Sequence, residues 1–403
     1  MKPLGRPLKE LTPVNVVVER FSKLLPSPPS VQKDTMHSVN NYSASEVLAL
    51  EDVPPVPKAV LDGFAASSEE IIDASETSPV KLKISDSCYE GAVPVHTGSP
   101  IPEGCDTVIP IEGVEVKGDE ILVFRPYPPG NAIAKVGEDL RKGDIILKKG
   151  DFIRPWHVAA LLSQGITKIS VVQPRVAIAA TGSELVEPWE TGGVRNTTAW
   201  LVYTFFKERL GVEPKYFGII PDDKEKIKQY FEKTMKDFDI VITTGGSSVG
   251  KRDYSVEAML SIEPEEFIHG VALTPGRPMA LGFKEGKLLL ALSGYPVAAL
   301  SELEAVVWEI LKRGWGLREP PRPKLKAKLT RKLPVQPNMV HLYRMRVFKC
   351  DGGYCAEPLR LTGSGVISSL IKGNAIFMAG LRGETGYDEG DEIEVILLSE
   401  PVD

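Results

Sequence analysis

The sequence predicts an α/β multidomain protein. Its parts are a central doubly wound α/β domain at 174–317, an inserted β-rich domain at 46–141, a connecting α+β unit made of 1–45 and 142–173, and a C-terminal β domain at 318–403. Three observations predict this. From Arg175 to about Gly316, apolar strand-like runs alternate with helical patterns, the signature of a parallel sheet covered on both faces. Between 45 and 142, prolines at 54, 55, 57, 94, 100, 102, 110, 128 and 129 cut the chain into short β-rich pieces. After Pro320-Pro321-Arg322-Pro323, short strands and glycine turns return.

Taken in order, Val14, Val17, Val18, Phe21, Leu24 and Leu25 recur at helical spacing. Thr12-Pro13 is positioned to cap that helix, and Pro26-Ser27-Pro28-Pro29 must end it. Val80 to Ile84 and Ile121 to Phe124 read as strands of the inserted domain. Asp144 to Leu147 reads as a strand, and Pro155 starts a helix through Leu162 that Gly165 ends. In the central domain, strands are expected at Val176 to Ala180, Tyr216 to Ile220, Ile240 to Ile242 and Leu288 to Leu292. Helices are expected from Thr197 to Leu210, Lys224 to Met235 and Val297 to Leu311.

The 403 residues suffice for several cores, at roughly 100–200 residues per domain. A 42% hydrophobic and 25% charged composition is that of a soluble globular chain. The net charge of -6 argues against a nucleic-acid partner. No apolar run approaches the ~18 residues of a membrane span, and no apolar stretch follows the basic N-terminus, so no membrane partner and a cytoplasmic location are expected. The four cysteines lack zinc spacing. Cys350 and Cys355 flank a hairpin turn at Asp351-Gly352-Gly353-Tyr354 and are expected as two reduced thiols.

In a doubly wound sheet, ligands bind beyond the carboxyl ends of the strands, and the polar and glycine-rich stretches fall there. They are Thr181-Gly182-Ser183-Glu184, Pro221-Asp222-Asp223, the run from Thr243 to Asp253, Thr274 to Pro278, and Ser293-Gly294-Tyr295-Pro296. Glycines let backbone N–H groups approach an oxyanion, and a helix start adds a positive dipole end. Lys251, Arg252 and Arg277 can offset ligand charge. Glu184, Asp222 and Asp253 would repel a phosphate unless a cation lay between, and hard oxygen ligands with phosphate oxygens are the usual seat of Mg²⁺. The expected site is therefore a Mg²⁺-bridged phosphate or pyrophosphate, with these three carboxylates as the metal set. Each piece alone has a plainer reading: Gly-Gly is often a turn, and Asp222-Asp223 can cap the next helix. Their joint placement at consecutive strand ends favours a site.

Longer motifs then carry a resemblance. Leu61-Asp62-Gly63-Phe64-Ala65 resembles an MDGYA signature, and Val95 to Val108 resembles a run of the form TGAPLPEGADTVV. Gly137-Glu138-Asp139 with Gly143 resembles a GED motif, and Val176 to Leu185 resembles an STGDEL region. Ile240 to Asp253 and the PGRP of 275–278 resemble a nucleotide and pterin-phosphate core. In this order they resemble the MoeA family of molybdopterin molybdenumtransferases, of which the gephyrin E domain is a relative. The core alone is also similar to that of the single-domain molybdopterin adenylyltransferases, which lack the N-terminal motifs.

The resemblance implies a MogA-like molybdopterin-binding α/β domain and a β-barrel-like C-terminal domain. It assigns Asp62, Thr97, Asp139, Glu184, Asp222 and Asp253 to catalysis. It assigns Thr243, Gly245, Gly246, Ser247, Ser248, Gly250, Lys251, Pro275, Gly276, Arg277, Pro278 and Ser293 to ligand binding. It implies adenylylated molybdopterin and molybdate (or tungstate) as substrates, AMP as product, Mg²⁺ as cofactor, and a separate adenylyltransferase as a possible partner. It further implies an elongated homodimer in which Asp62 and Thr97 face the α/β domain of the other subunit. The alternatives are an adenylyltransferase and a non-catalytic scaffold, the latter less consistent with the acidic set. Departures from the family pattern are Arg195-Asn196-Thr197-Thr198 for a DSN-type turn, Arg277 for Lys, Ser293 for Pro, Tyr295 for Asn, Leu61 for Met and Phe64 for Tyr.

Overall fold

The computed structural model describes residues 10–245, 253–359, 366–381 and 384–402. The chain forms two compact units: 1–45 with 148–158 and 167–403, and 46–147 with 159–166. Among the described residues no helix is long and apolar enough to cross a membrane.

The larger unit holds a six-stranded sheet. Its strands are β1 (Val176–Thr181), β2 (Lys215–Ile220), β3 (Ile240–Thr244), β4 (Glu266–His269), β5 (Ala280–Lys284) and β6 (Lys287–Leu292), in spatial order β2-β1-β3-β6-β5-β4. The first four in that order are parallel, and β5 and β4 add antiparallel. The sheet is thus mixed, where the alternating pattern alone predicts only parallel strands. The cause is a two-residue hairpin: Glu285 and Gly286 both take positive φ, 50° and 76°, so β5 turns straight back into β6.

Strand alternation sorts the side chains into two layers. Ile178, Ala180, Ile240, Ile242, Leu288, Leu290 and Leu292 pack on one face with helix α1 (Thr198–Leu210) and the chain's last long helix. Ala177, Ala179, Val241, Leu289 and Ala291 pack on the other with helices α2 (Lys224–Thr234) and α3 (Tyr254–Ser261). Burying each of the larger side chains contributes roughly 1.5–3 kcal/mol. Gly211, left-handed at φ 64°, closes α1. The last long helix has three parts: α4 (Pro296–Glu302), a π-helical stretch at Leu303–Val307, and α5 (Trp308–Trp315).

The first helix spans Val14–Leu24 as its periodicity predicts, but Thr12 does not cap it. Thr12 instead makes a parallel bridge to Val271. Ser30–Asp34 pairs antiparallel with Lys168–Val172.

Beyond the linker, strands β7 (Lys324–Leu329), β8 (Val340–Cys350), β9 (Gly353–Pro358), β10 (Ala375–Ala379) and β11 (Glu392–Leu397) run in order β8-β9-β7-β11-β10. Pairing of β10 with β8 closes a five-stranded barrel. Cys350 and Cys355 form a disulfide across the β8–β9 hairpin with Cα atoms 5.8 Å apart. This corrects the expectation of reduced thiols: the tight hairpin holds both cysteines at bridging distance.

The smaller unit is β-rich as its composition predicts. One three-stranded sheet joins Gly63–Ala66 to Val93–Val95 and Thr107–Pro110, and a second joins Val80–Lys83, Glu120–Val123 and Val114–Lys117. A disulfide between Cys88 and Cys105, which no cysteine spacing signals, ties down this unit.

Candidate functional site

Five strand-end segments of the larger unit build the candidate site. After β1, the backbone at Gly182 turns and Glu184 is exposed. After β2, Asp222 and Asp223 divide the work of the acidic pair. Asp223 Oδ1 accepts from Lys226 N at 3.0 Å and caps α2. Asp222 Oδ2 instead accepts from Ser183 N at 3.2 Å, and Ser183 Oγ accepts from Asp222 N at 3.0 Å. The neighbouring parallel strands β1 and β2 thus bring Ser183, next to Glu184 in sequence, against Asp222, with Thr181 opposite Ile220 in the register.

After β3, Gly245 takes φ 96° and lies so close to β1 that a Cβ there would meet Thr181 O at 2.3 Å. Its carbonyl accepts from Ser255 Oγ at 3.2 Å, and Ser255 Oγ lies 3.3 Å from Thr181 Oγ1. Thr243 is buried and its hydroxyl donates back to Leu290 O at 3.4 Å, so it supports the strand end from within. Gly246, Ser247, Ser248, Gly250 and Lys251 lie outside the described residues.

Asp253 opens α3, and its Oδ1 accepts from Val256 N at 3.0 Å. Burial pushes its carboxyl up to about 7. His269 stands 3.8 Å away and is itself held below its usual value by burial. Among the described residues no three His, Cys, Asp or Glu side chains are gathered as a metal set. Ser183 ties Asp222 to the turn after β1, while Asp253 is engaged at the helix start after β3.

The 274–278 segment follows a short strand at Leu273–Thr274, with a cis bond before Pro275. Gly276 has φ 127°, and a Cβ there would meet Glu302 Cγ at 2.9 Å. Arg277 is exposed and its guanidinium donates to Gln336 Oε1 of the barrel domain and to Thr274 Oγ1 at 3.4 Å. After β6, Ser293 is buried against Glu302, and Thr198 Oγ1 donates to Gly294 O at 2.7 Å.

The smaller unit carries its own polar cluster. Asp62 Oδ1 accepts from Thr97 N at 2.7 Å and from Thr97 Oγ1 at 2.9 Å. These bonds, the backbone one first, hold the Asp62 carboxyl below its ordinary range, and His96 at 3.9 Å adds to them. Asp139 is exposed in a loop whose backbone N–H donates to Val53 O at 3.0 Å.

The motifs do not signal Ser255 or Glu302, and they contain Ser183 and Thr198 without singling them out. Three are short hydroxyl side chains bonded to strand-end backbone, and Glu302 is one of three acids in a mostly apolar helix.

A doubly wound sheet with glycine-bent, carboxylate-bearing strand ends, carried with a β-rich unit and a closed barrel, defines a multidomain protein whose α/β core is built to take a ligand at its strand ends. Residues 12–165 match the MoeA N-terminal region (domain I and II), 177–313 the probable molybdopterin binding domain, and 326–398 the MoeA C-terminal region (domain IV). A putative molybdopterin biosynthesis protein of Methanocaldococcus jannaschii is 33% identical over 97% of this chain and 99% of its own. The molybdopterin molybdenumtransferase of Bacillus subtilis is 33% identical over 90% of this chain and 88% of its own. A crystal structure of the Pyrococcus horikoshii molybdopterin biosynthesis moeA protein superposes with TM-score 0.81 at 30% identity, covering 96% of this chain and 100% of that one. The chain belongs to the MoeA family.

Proposed function

We propose that this chain is a molybdopterin molybdenumtransferase, acting in molybdenum cofactor biosynthesis by transferring molybdenum from molybdate to adenylylated molybdopterin with release of AMP. The observation that carries this reading is the pairing of Ser183, next to Glu184 in sequence, with Asp222 at adjacent strand ends, in a chain matched to molybdenumtransferases along nearly its whole length.

The roles follow from chemistry. Gly245 and Gly276 let the strand-end loops pack against Thr181 and Glu302, where any side chain would clash. Arg277 supplies positive charge for molybdate or, as an oxyanion of the same shape, tungstate. Glu184 and Asp222, on adjacent strand ends, offer hard oxygen donors that fit Mg²⁺. These two residues would hold it. Bound there, Mg²⁺ would neutralise phosphate charge. On this reading the protein acts by positioning and charge management. The pterin dithiolene supplies the soft ligands that take the metal.

The proposal extends to a homodimer in which Asp62 and Thr97 of one copy serve the crevice of the other, and to a separate adenylyltransferase that makes the substrate. The test is turnover of the purified chain with adenylylated molybdopterin, molybdate and Mg²⁺. AMP release that requires molybdate supports the reading, and ATP-dependent adenylylation of the pterin by the chain alone would replace it.

A further inference from the structure

Glu302 is fully buried, at 0% exposure, as the last residue of α4. A lone buried acid is costly, and an apolar side chain of similar volume usually stabilises a core as well or better. Its surroundings give it a task. Ser293 N donates to Oε2 at 2.8 Å, and Ser293 Oγ is bonded to Oε1. The backbone of Gly276 lies against the same side chain, with room for no Cβ. One carboxyl therefore sits beneath two strand-end loops, 274–278 and 293–296.

Those loops reach further. Leu292 O, just before Ser293, accepts from Gly245 N at 2.9 Å. A Cβ on Gly294 would come within 3.2 Å of Gly245 Cα. Ser293 and Glu302 pair through both a backbone N–H and a hydroxyl, two donors that a proline at 293 would not have. The helix also departs from α geometry at once, with the π-helical turn of Leu303–Val307 beginning at the next residue. Such turns commonly mark functional positions.

We infer that Glu302 is a positioning residue for the transferase reaction, locking the Ser293–Gly294 loop against the Pro275–Gly276 loop so that both present one fixed surface to the phosphorylated pterin and the oxyanion. This rests on the function proposed above. Burial raises the carboxyl to about 8, with the Ser293 bonds opposing that rise. The neutral acid thus dominates near pH 7 and places no negative charge beside an anionic ligand. Ser293 gives both of its donors, the backbone N–H and the hydroxyl, to this one carboxyl.

The test compares the full-length wild type with E302Q, E302L and E302A. Kinetics are read as AMP release, affinity as the dissociation constant for AMP by calorimetry, and folding by thermal melting. Glutamine can accept from Ser293 N and donate to Ser293 Oγ, so E302Q should stay within about threefold of wild type in KM and AMP affinity. E302L fills the volume and should melt at or above the wild-type temperature. It should nevertheless raise KM and weaken AMP binding by roughly tenfold or more, with a smaller effect on kcat. E302A should show the same KM defect with a lower melting temperature. Wild-type KM and AMP affinity in folded E302L would overturn the inference, as would E302Q impaired as severely as E302L. A wild type that neither binds AMP nor releases it would overturn the proposed function, and this inference with it.

Discussion

Ser183 and Asp222 exchange two hydrogen bonds across the ends of adjacent parallel strands, at 3.2 and 3.0 Å. The pair fixes the turn that carries Glu184, so the acidic corner is set by backbone geometry as much as by side-chain choice.

Removing Ser183 Oγ leaves Asp222 N without that acceptor. S183A should lose about 0.5–1.5 kcal/mol of stability and lower AMP release several-fold, because Glu184 is no longer held in place. D222A removes the proposed metal ligand as well, and should cut AMP release at least about a hundredfold and abolish its Mg²⁺ dependence. Melting curves and turnover measured on the same preparations check both.

Thr97 gives Asp62 one bond through its hydroxyl and one through its backbone. T97A deletes only the first and should be milder than D62A, which should abolish turnover with the fold intact. The Asp62 carboxyl lies below its ordinary range. Any activity that needs its charge should therefore persist as pH falls through the usual carboxylate range, and fail only at more acidic pH. A pH–rate profile of wild type against T97A checks this, with the acid limb of T97A displaced upward.

Burial raises Asp253 to about 7 in the folded chain, well above the ordinary aspartate value of about 4. The folded protein therefore holds this proton more tightly than the unfolded one. The resulting stability is fully present below about pH 4 and is lost as pH rises through about 7. D253N keeps a side-chain acceptor for Val256 N but does not titrate. In EDTA, wild type should lose stability relative to D253N between pH 4 and 7, measured by urea melts at each pH.

The Cys88–Cys105 disulfide spans a sequence separation of 17 and encloses Thr97. Chain-entropy reasoning assigns such a loop about 3 kcal/mol. Reduction should lower the melting temperature of the wild type, and C88S/C105S should start at that lower value and not respond to reductant. The Cys350–Cys355 bridge, with a separation of 5, should matter less.

What the sequence makes legible follows from burial. Val176–Thr181 and Ile240–Thr244 are covered on both faces, so they read as continuous apolar runs and stand out. Ala280–Lys284 does not stand out, although the Glu285-Gly286 turn beside it is a usable hairpin signal. Glu184 and Asp222 are legible because motif order places them at strand ends. Their mutual support through Ser183 is not, since a serine in a turn has no distinctive spacing. Glu302 is invisible to periodicity: it occupies a buried helix position normally filled by an apolar residue, and only the two loops above it explain its presence. The cap on α2 falls to Asp223 and leaves Asp222 for the site, a division that backbone angles decide.

The most direct test of the account is a single incubation of the purified chain with adenylylated molybdopterin and Mg²⁺, with and without molybdate, following AMP and pterin-bound molybdenum together. The account predicts that both appear in equal amounts only when molybdate is present, and that neither appears with D222A. AMP released at the same rate without molybdate, or by D222A at the wild-type rate, would contradict it.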